Sequence, residues 1–117
     1  MTDRSKRTAA LDKAIETMIQ LYGGLPLRIN NQPRIDKHGR RFFPRCAPIG
    51  CSDWIAIMPH GVTLWIEGKV SPDKMRETQL QFRDKLWKRG HKYILVQDTT
   101  DILVAWLSKD ADKAREG

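Results

Sequence analysis

Long apolar runs are missing from this sequence. The longest, Ile102 to Leu107, is six residues, against the roughly 20 that a membrane-spanning helix needs. No apolar stretch follows the charged start Met1 to Arg7, so no export signal is expected. Cysteine is scarce, with two in 117 residues, which excludes a disulfide framework and fits a reducing cytoplasm. Cys46 and Cys51 are separated by four residues and have no matching second pair, short of the four closely spaced ligands of a structural zinc site. The three histidines are scattered and suggest no acid–base pair. No repeat or low-complexity stretch occurs. No helix rich in Arg, Asn and Gln stands out, which argues against reading a base sequence in the major groove.

What the chain has is charge of one sign, unevenly placed. Its length supports one domain, and 40% hydrophobic residues exceed what a disordered chain carries. The net charge is +7. Residues 1–52 hold ten Lys+Arg and four Asp+Glu, net +6, while residues 53–117 hold eleven and ten, net +1. A polyanion suits such a face, and nucleic acid is the commonest one. A basic soluble protein without such a partner is the alternative.

Leu11, Ile15, Met18 and Tyr22 recur at helical spacing, and Gly23-Gly24 ends that first helix. Pro26 opens an extended segment, Leu27 to Asn30. Residues 31–44 are polar and basic and read as a loop or flexible hairpin. Trp54 to Met58 and Val62 to Lys69 form a hairpin around Pro59-His60-Gly61. A second helix is expected from Ser71 as N-cap and Pro72 as its first residue to about Arg89. Tyr93 to Val96 reads as a buried strand. Asp98 or Thr99 caps a last helix through Trp106. The fold class is therefore α/β (α+β), in the order αβββαβα, a mixed central sheet flanked by helices. Residues 1–8 are expected to be a flexible basic N-terminus, 9–107 the domain, and 108–117 a frayed polar tail.

Polar residues in apolar company carry the chemistry, because their burial costs free energy unless they have partners. Glu67 and Lys69 project from one face of the hairpin's second strand, beside Trp65. The turn brings Asp53, at the start of the first strand, close to them. Two carboxylates and an ammonium thus converge. A divalent cation relieves carboxylate repulsion, and oxygen donors favour Mg²⁺; a lysine alongside can orient or help deprotonate water. A surface salt-bridge cluster would show the same residues. Met75, Gln79, Phe82 and Leu86 form the inward stripe of the second helix, and Gln79 is its polar member; otherwise it is a partly exposed residue. Trp65 packs under the helices or lines the cleft to stack on a base. Trp54, Trp87 and Trp106 read as core or interface.

The string Ile49-Gly50-Cys51-Ser52-Asp53, the hairpin, Ile66-Glu67-Gly68-Lys69, Ser71-Pro72 and Gln79 resembles the VRR-NUC family, virus-type replication-repair nucleases of the PD-(D/E)XK superfamily. Arg28-Ile29-Asn30-Asn31 resembles the family's Arg–Asn segment, and Arg45 stands where a basic residue precedes the Gly–Ser–Asp turn. The similarity spans residues 9 to 107. It implies a restriction-endonuclease-like core and a Mg²⁺- or Mn²⁺-dependent deoxyribonuclease. Asp53, Glu67 and the Gly68 carbonyl would hold the metal, with Glu16 reaching it through water. Lys69 would activate or position the attacking water, and Gln79 would orient Lys69 or the substrate phosphate. Arg28, Asn30, Arg34, Lys37, Arg40, Arg41 and Arg45 would neutralise DNA phosphates without reading sequence. The expected partners are double-stranded or branched DNA and, as in small phage-like members, a second copy of the chain. The setting would be the cytoplasm of a bacterium or phage-infected cell, and the role DNA replication, repair or recombination. Gly68 departs from the family's usual Val or Leu, and since glycine weakens a strand, looser geometry is expected there. Cys51 is also an unusual choice. A non-catalytic binding module using the same basic face is the alternative.

Overall fold

The computed structural model describes residues 2–29, 34–42 and 50–116. Helix α1 (Asp3–Leu21) leads into β1 (Leu25–Arg28). A short ribbon follows, β2 (Arg34–Ile35) and β3 (Arg41–Phe42), then β4 (Trp54–Ile57), β5 (Thr63–Lys69), α2 (Glu77–Lys88), β6 (Lys92–Gln97) and α3 (Asp101–Glu116). Setting the ribbon aside, this is the expected αβββαβα order.

The main sheet runs β1-β4-β5-β6. β4 is antiparallel to β1 and β5, whereas β5 and β6 are parallel. That parallel pair needs a crossover, which α2 supplies. The residues that α1 and α3 cover alternate along the strands: Trp54 and Ala56, Leu64 and Ile66, Ile94 and Val96. They meet Leu11, Ile15 and Ile19 of α1 and Leu103 and Leu107 of α3 in one apolar core. Tyr22 at the end of α1 shares a 3.0 Å hydroxyl hydrogen bond with Ser108 of α3. α2 lies over the other face, where Phe82 meets Trp65 edge-to-face with ring centroids 5.7 Å apart. Trp65 therefore packs under a helix.

Several boundaries differ from expectation, each for a local reason. α1 begins at Asp3 because Thr2 caps it, accepting from the Ser5 N–H. Arg4 then pairs with Asp73, and Arg7 donates to the Ser71 carbonyl. Ser71 does not cap α2. Its N–H and hydroxyl both donate to Asp98, so Asp98 is not free to cap α3 either, and α2 starts six residues later at Glu77. α3 continues to Glu116 through residues that mostly favour helix, such as Lys109, Ala111 and Ala114. Trp87 belongs to no core: it is 52% exposed, with the Arg83 guanidinium 4.3 Å from its ring. The basic hairpin is real and tight, because the Asp36 carboxylate accepts from the His38 and Arg40 N–H groups across its turn.

Candidate active site

The register of the central hairpin builds the site. Trp54 lies opposite Ile66, which sets Asp53 across from Glu67. Each carboxylate is held by the other strand's backbone. The Asp53 N–H donates to Glu67 Oε2 at 3.1 Å, and the Gly68 N–H donates to Asp53 Oδ2 at 3.2 Å. The remaining Glu67 oxygen, Oε1, accepts from Gln79 Nε2 at 2.8 Å and lies 3.7 Å from Lys69 Nζ. Gln79 is itself fixed, since its Oε1 accepts from the Arg76 N–H at 2.8 Å. That bond satisfies one of the open donors at the start of α2. Glu67 is 2% exposed and Gln79 3%, so the cluster is no surface salt bridge.

Burial governs the electrostatics. Glu67 is pushed up from 4.5 to about 7, first by desolvation and then by the Asp53 charge, with Lys69 pulling the other way. Asp53 is also raised by desolvation, against the Gly68 hydrogen bond and the Arg28 charge that lower it. Two hard oxygen donors that repel one another, beside a fixed ammonium, fit a divalent cation of the Mg²⁺ type, which accepts one or two carboxylates and keeps waters or phosphate oxygens for the rest. Among the described residues no third His, Cys, Asp or Glu side chain joins them in a metal-holding cluster.

The other expected site residues divide. Gln79 reaches Glu67 rather than Lys69. Glu16 is half-buried on α1, and nothing in the structure ties it to the pair. The α1 carboxylate felt there is Asp12, one turn earlier: its charge helps to raise Asp53, and it pairs with Arg28 at 2.9 Å. Arg28 also stacks 4.9 Å from the Trp54 ring, so it borders the site with its charge already engaged. Lys37, Arg40 and Arg41 are exposed on the ribbon. Asn30, Arg45 and the Arg34 side chain lie outside the described residues. Gly68 is not loose. It pairs with Val96 of β6, and a Cβ there would sit 3.2 Å from Ile15 Cδ1, so the missing side chain lets α1 press on the strand. Gly50 is tighter still, with φ +83° and a Cβ position 2.2 Å from the Thr78 carbonyl oxygen. It seats the Asp53 turn against the start of α2.

Asp12 and Tyr93 were not anticipated. Asp12 shares its helix face with Glu16 at i, i+4, so periodicity alone cannot choose between them. Tyr93 pairs in register with Trp65, on the face that carries Glu67. Its hydroxyl is buried without a hydrogen-bond partner among the described residues. Burial, then the Glu67 and Asp53 charges, raises its pKa. The parallel strand pairing that brings it there becomes visible only with the fold.

This arrangement of helices and mixed sheet has a solved counterpart. The chain is similar to a structure described as a VRR_NUC domain, with a TM-score of 0.58 over 94% of this chain and 95% of that one, at 22% identity. At that identity the likeness is one of fold. It agrees with the expected architecture, a mixed central sheet flanked by helices in the order αβββαβα. No protein-family model and no curated protein matches the sequence.

Proposed function

We propose that this chain is a nuclease of the VRR-NUC type, a divalent-metal-dependent endonuclease that hydrolyses DNA phosphodiesters with structure-dependent or no sequence preference. The observation that carries this reading is the Asp53–Glu67 pair, Glu67 buried and Asp53 half-buried, cross-braced by backbone and flanked by Lys69. Asp53, Glu67 and the Gly68 carbonyl would hold Mg²⁺ or Mn²⁺. When bound, such an ion supplies positive charge at a phosphate oxygen and acidifies water. The chain's own residues do the rest. Gln79 holds the Glu67 carboxylate in one orientation, leaving it no freedom to swing away. Lys69 places an ammonium beside Glu67, where it can hold an anionic phosphate oxygen or take part in moving the water proton. The ribbon cations Lys37, Arg40 and Arg41 supply sequence-independent phosphate contacts. Replication, repair or recombination, a phage or bacterial cytoplasm, branched DNA as substrate and assembly as a homodimer belong to this same proposal.

The test is incubation of the purified chain with linear, flapped and four-way-junction DNA in Mg²⁺, Mn²⁺ or EDTA. Cleavage is expected with either metal and not in EDTA. Asp53→Asn and Lys69→Ala are expected to abolish it while the fold, read by circular dichroism, is kept. Cleavage that survives both substitutions, or that proceeds in EDTA, would overturn the assignment.

A further inference from the structure

α2 starts at the site and ends far from it. Gln79 touches Glu67, and Arg89 lies ten residues further on, about 15 Å along a helix axis. β5 gives the same measure from below: Thr63 stands four residues before Glu67, about 13 Å along a strand. At that far corner cations again outnumber carboxylates, the nearest carboxylate on α2 being Asp84, which pairs with Arg83. Residues 85–97 contain Lys85, Lys88, Arg89 and Lys92 and no carboxylate. Lys85, Lys88 and Arg89 are exposed, as are His91 and Trp87. A cation at a helix C-terminus is favoured by the helix dipole. Arg89 donates to the Lys85 carbonyl at 2.9 Å, and past Gly90 Lys92 lies 5.4 Å from the Trp106 ring, while the Lys85 and Lys88 side chains extend into solvent. A cavity of about 390 Å³ opens at the same corner, lined by Thr63, Trp65, Gly90, His91 and Lys92 among others. The corner is thus concave as well as basic, and it is formed by the half of the chain whose net charge is near zero.

We infer that the corner where α2 turns into β6 is a second nucleic-acid contact, in which Lys85, Lys88 and Arg89 bind the phosphate backbone. It rests on the nuclease reading for its partner and extends that reading in space. For a duplex lying along α2, 3.4 Å of rise per base pair puts the corner's contact about four base pairs from the phosphate that a metal at Asp53 and Glu67 would engage. Its side chains are lysine and arginine with no Asn or Gln beside them, so the contact adds affinity and register without base preference.

The experiment measures binding of the full chain to a fluorescent 20-base-pair duplex in EDTA, across a salt series, beside metal-dependent cleavage of the same duplex. The combined variant Lys85→Ala, Lys88→Ala, Arg89→Ala is expected to lower the slope of log K against log salt by between about two and three units, since each phosphate contact contributes roughly 0.9. Lys85→Arg with Lys88→Arg is expected to retain the wild-type slope, which separates charge from fold. An unchanged slope in the alanine variant overturns the corner even if the wild type cleaves DNA. Wild-type binding with a reduced slope in the variant upholds the corner even if no cleavage is found, and that combination would sink the nuclease reading alone. Absence of wild-type binding overturns the corner outright.

Discussion

Replacing Glu67 with glutamine is expected to make the metal-free protein lose less stability than the wild type as pH rises. Glu67 is raised from 4.5 to about 7 in the fold. A carboxyl whose folded pKa lies above its unfolded value keeps its proton in the native state while the unfolded chain has lost it. Its stabilising contribution is complete below about pH 4.5 and is lost as pH rises through about 7. At 1.36 kcal/mol per unit, the ionised native state carries a cost of about 3 kcal/mol at pH 8.5. Glutamine has the shape of the protonated acid and no charge to desolvate, but its NH2 must face a donor where Glu67 accepts from the Asp53 N–H and Gln79 Nε2, a loss of about 1–3 kcal/mol that does not change with pH. For 117 residues the unfolding entropy near the midpoint is about 0.25 kcal/mol per kelvin, so the variant's Tm relative to the wild type's rises by roughly 10 °C between pH 4.5 and pH 8.5. Near pH 4.5 the variant melts lower, because only the donor conflict separates the two proteins. Thermal melts of both, in EDTA at pH 4.5, 6.5 and 8.5, give the difference directly, and the subtraction removes the other titrating groups. A difference that stays flat with pH would refute the reasoning that burial and Asp53 govern this carboxyl.

Other outcomes follow from single contacts. Gly50→Ala is expected to cost about 2 kcal/mol or more by urea denaturation, because it adds a side chain in left-handed backbone and within contact of the Thr78 carbonyl. Tyr93→Phe removes a buried hydroxyl that has no partner among the described residues, so stability is expected to hold or rise slightly; a large loss in Tm would show a hidden partner. Gln79→Leu removes both the bond to Glu67 and the bond to the Arg76 N–H. It is expected to destabilise by about 1–2 kcal/mol and to raise the pH at which the metal-free protein loses stability, both read from the same melts.

Most of the architecture was legible because it follows from spacing. The stripe from Leu11 to Tyr22, the alternation from Val62 to Lys69 and the Pro59 to Gly61 turn are local signals, and each element lies where they point. The turn also settles the register that sets Asp53 opposite Glu67, so that juxtaposition could be read before any coordinates. What escaped was decided by contacts between distant segments. Ser71 has the composition of a cap, but Asp98, 27 residues away, takes both its donors. Asp12 and Glu16 share a helix face, and only the packing angle of α1 gives Asp12 the influence on Asp53. Tyr93 needed the parallel pairing of β5 and β6. The basic corner at Lys85 to Arg89 was hidden by counting charge over half the chain, where distant acidic residues cancel it.

The bare α-carbon at Gly68 has one more consequence. A Cβ at that position would meet Ile15 and Leu11, so residues 15 and 68 divide a single fixed volume between them. In this chain all of it goes to the isoleucine. The separation of the first helix from the strand bearing Glu67 and Lys69 is therefore written jointly in two positions 53 residues apart. A side chain can enter at 68 without moving the helix only if position 15 shrinks in return. Relatives of this fold with valine or leucine between the glutamate and the lysine are then expected to carry a smaller residue on the facing turn of the first helix, a size exchange that sequences alone can reveal.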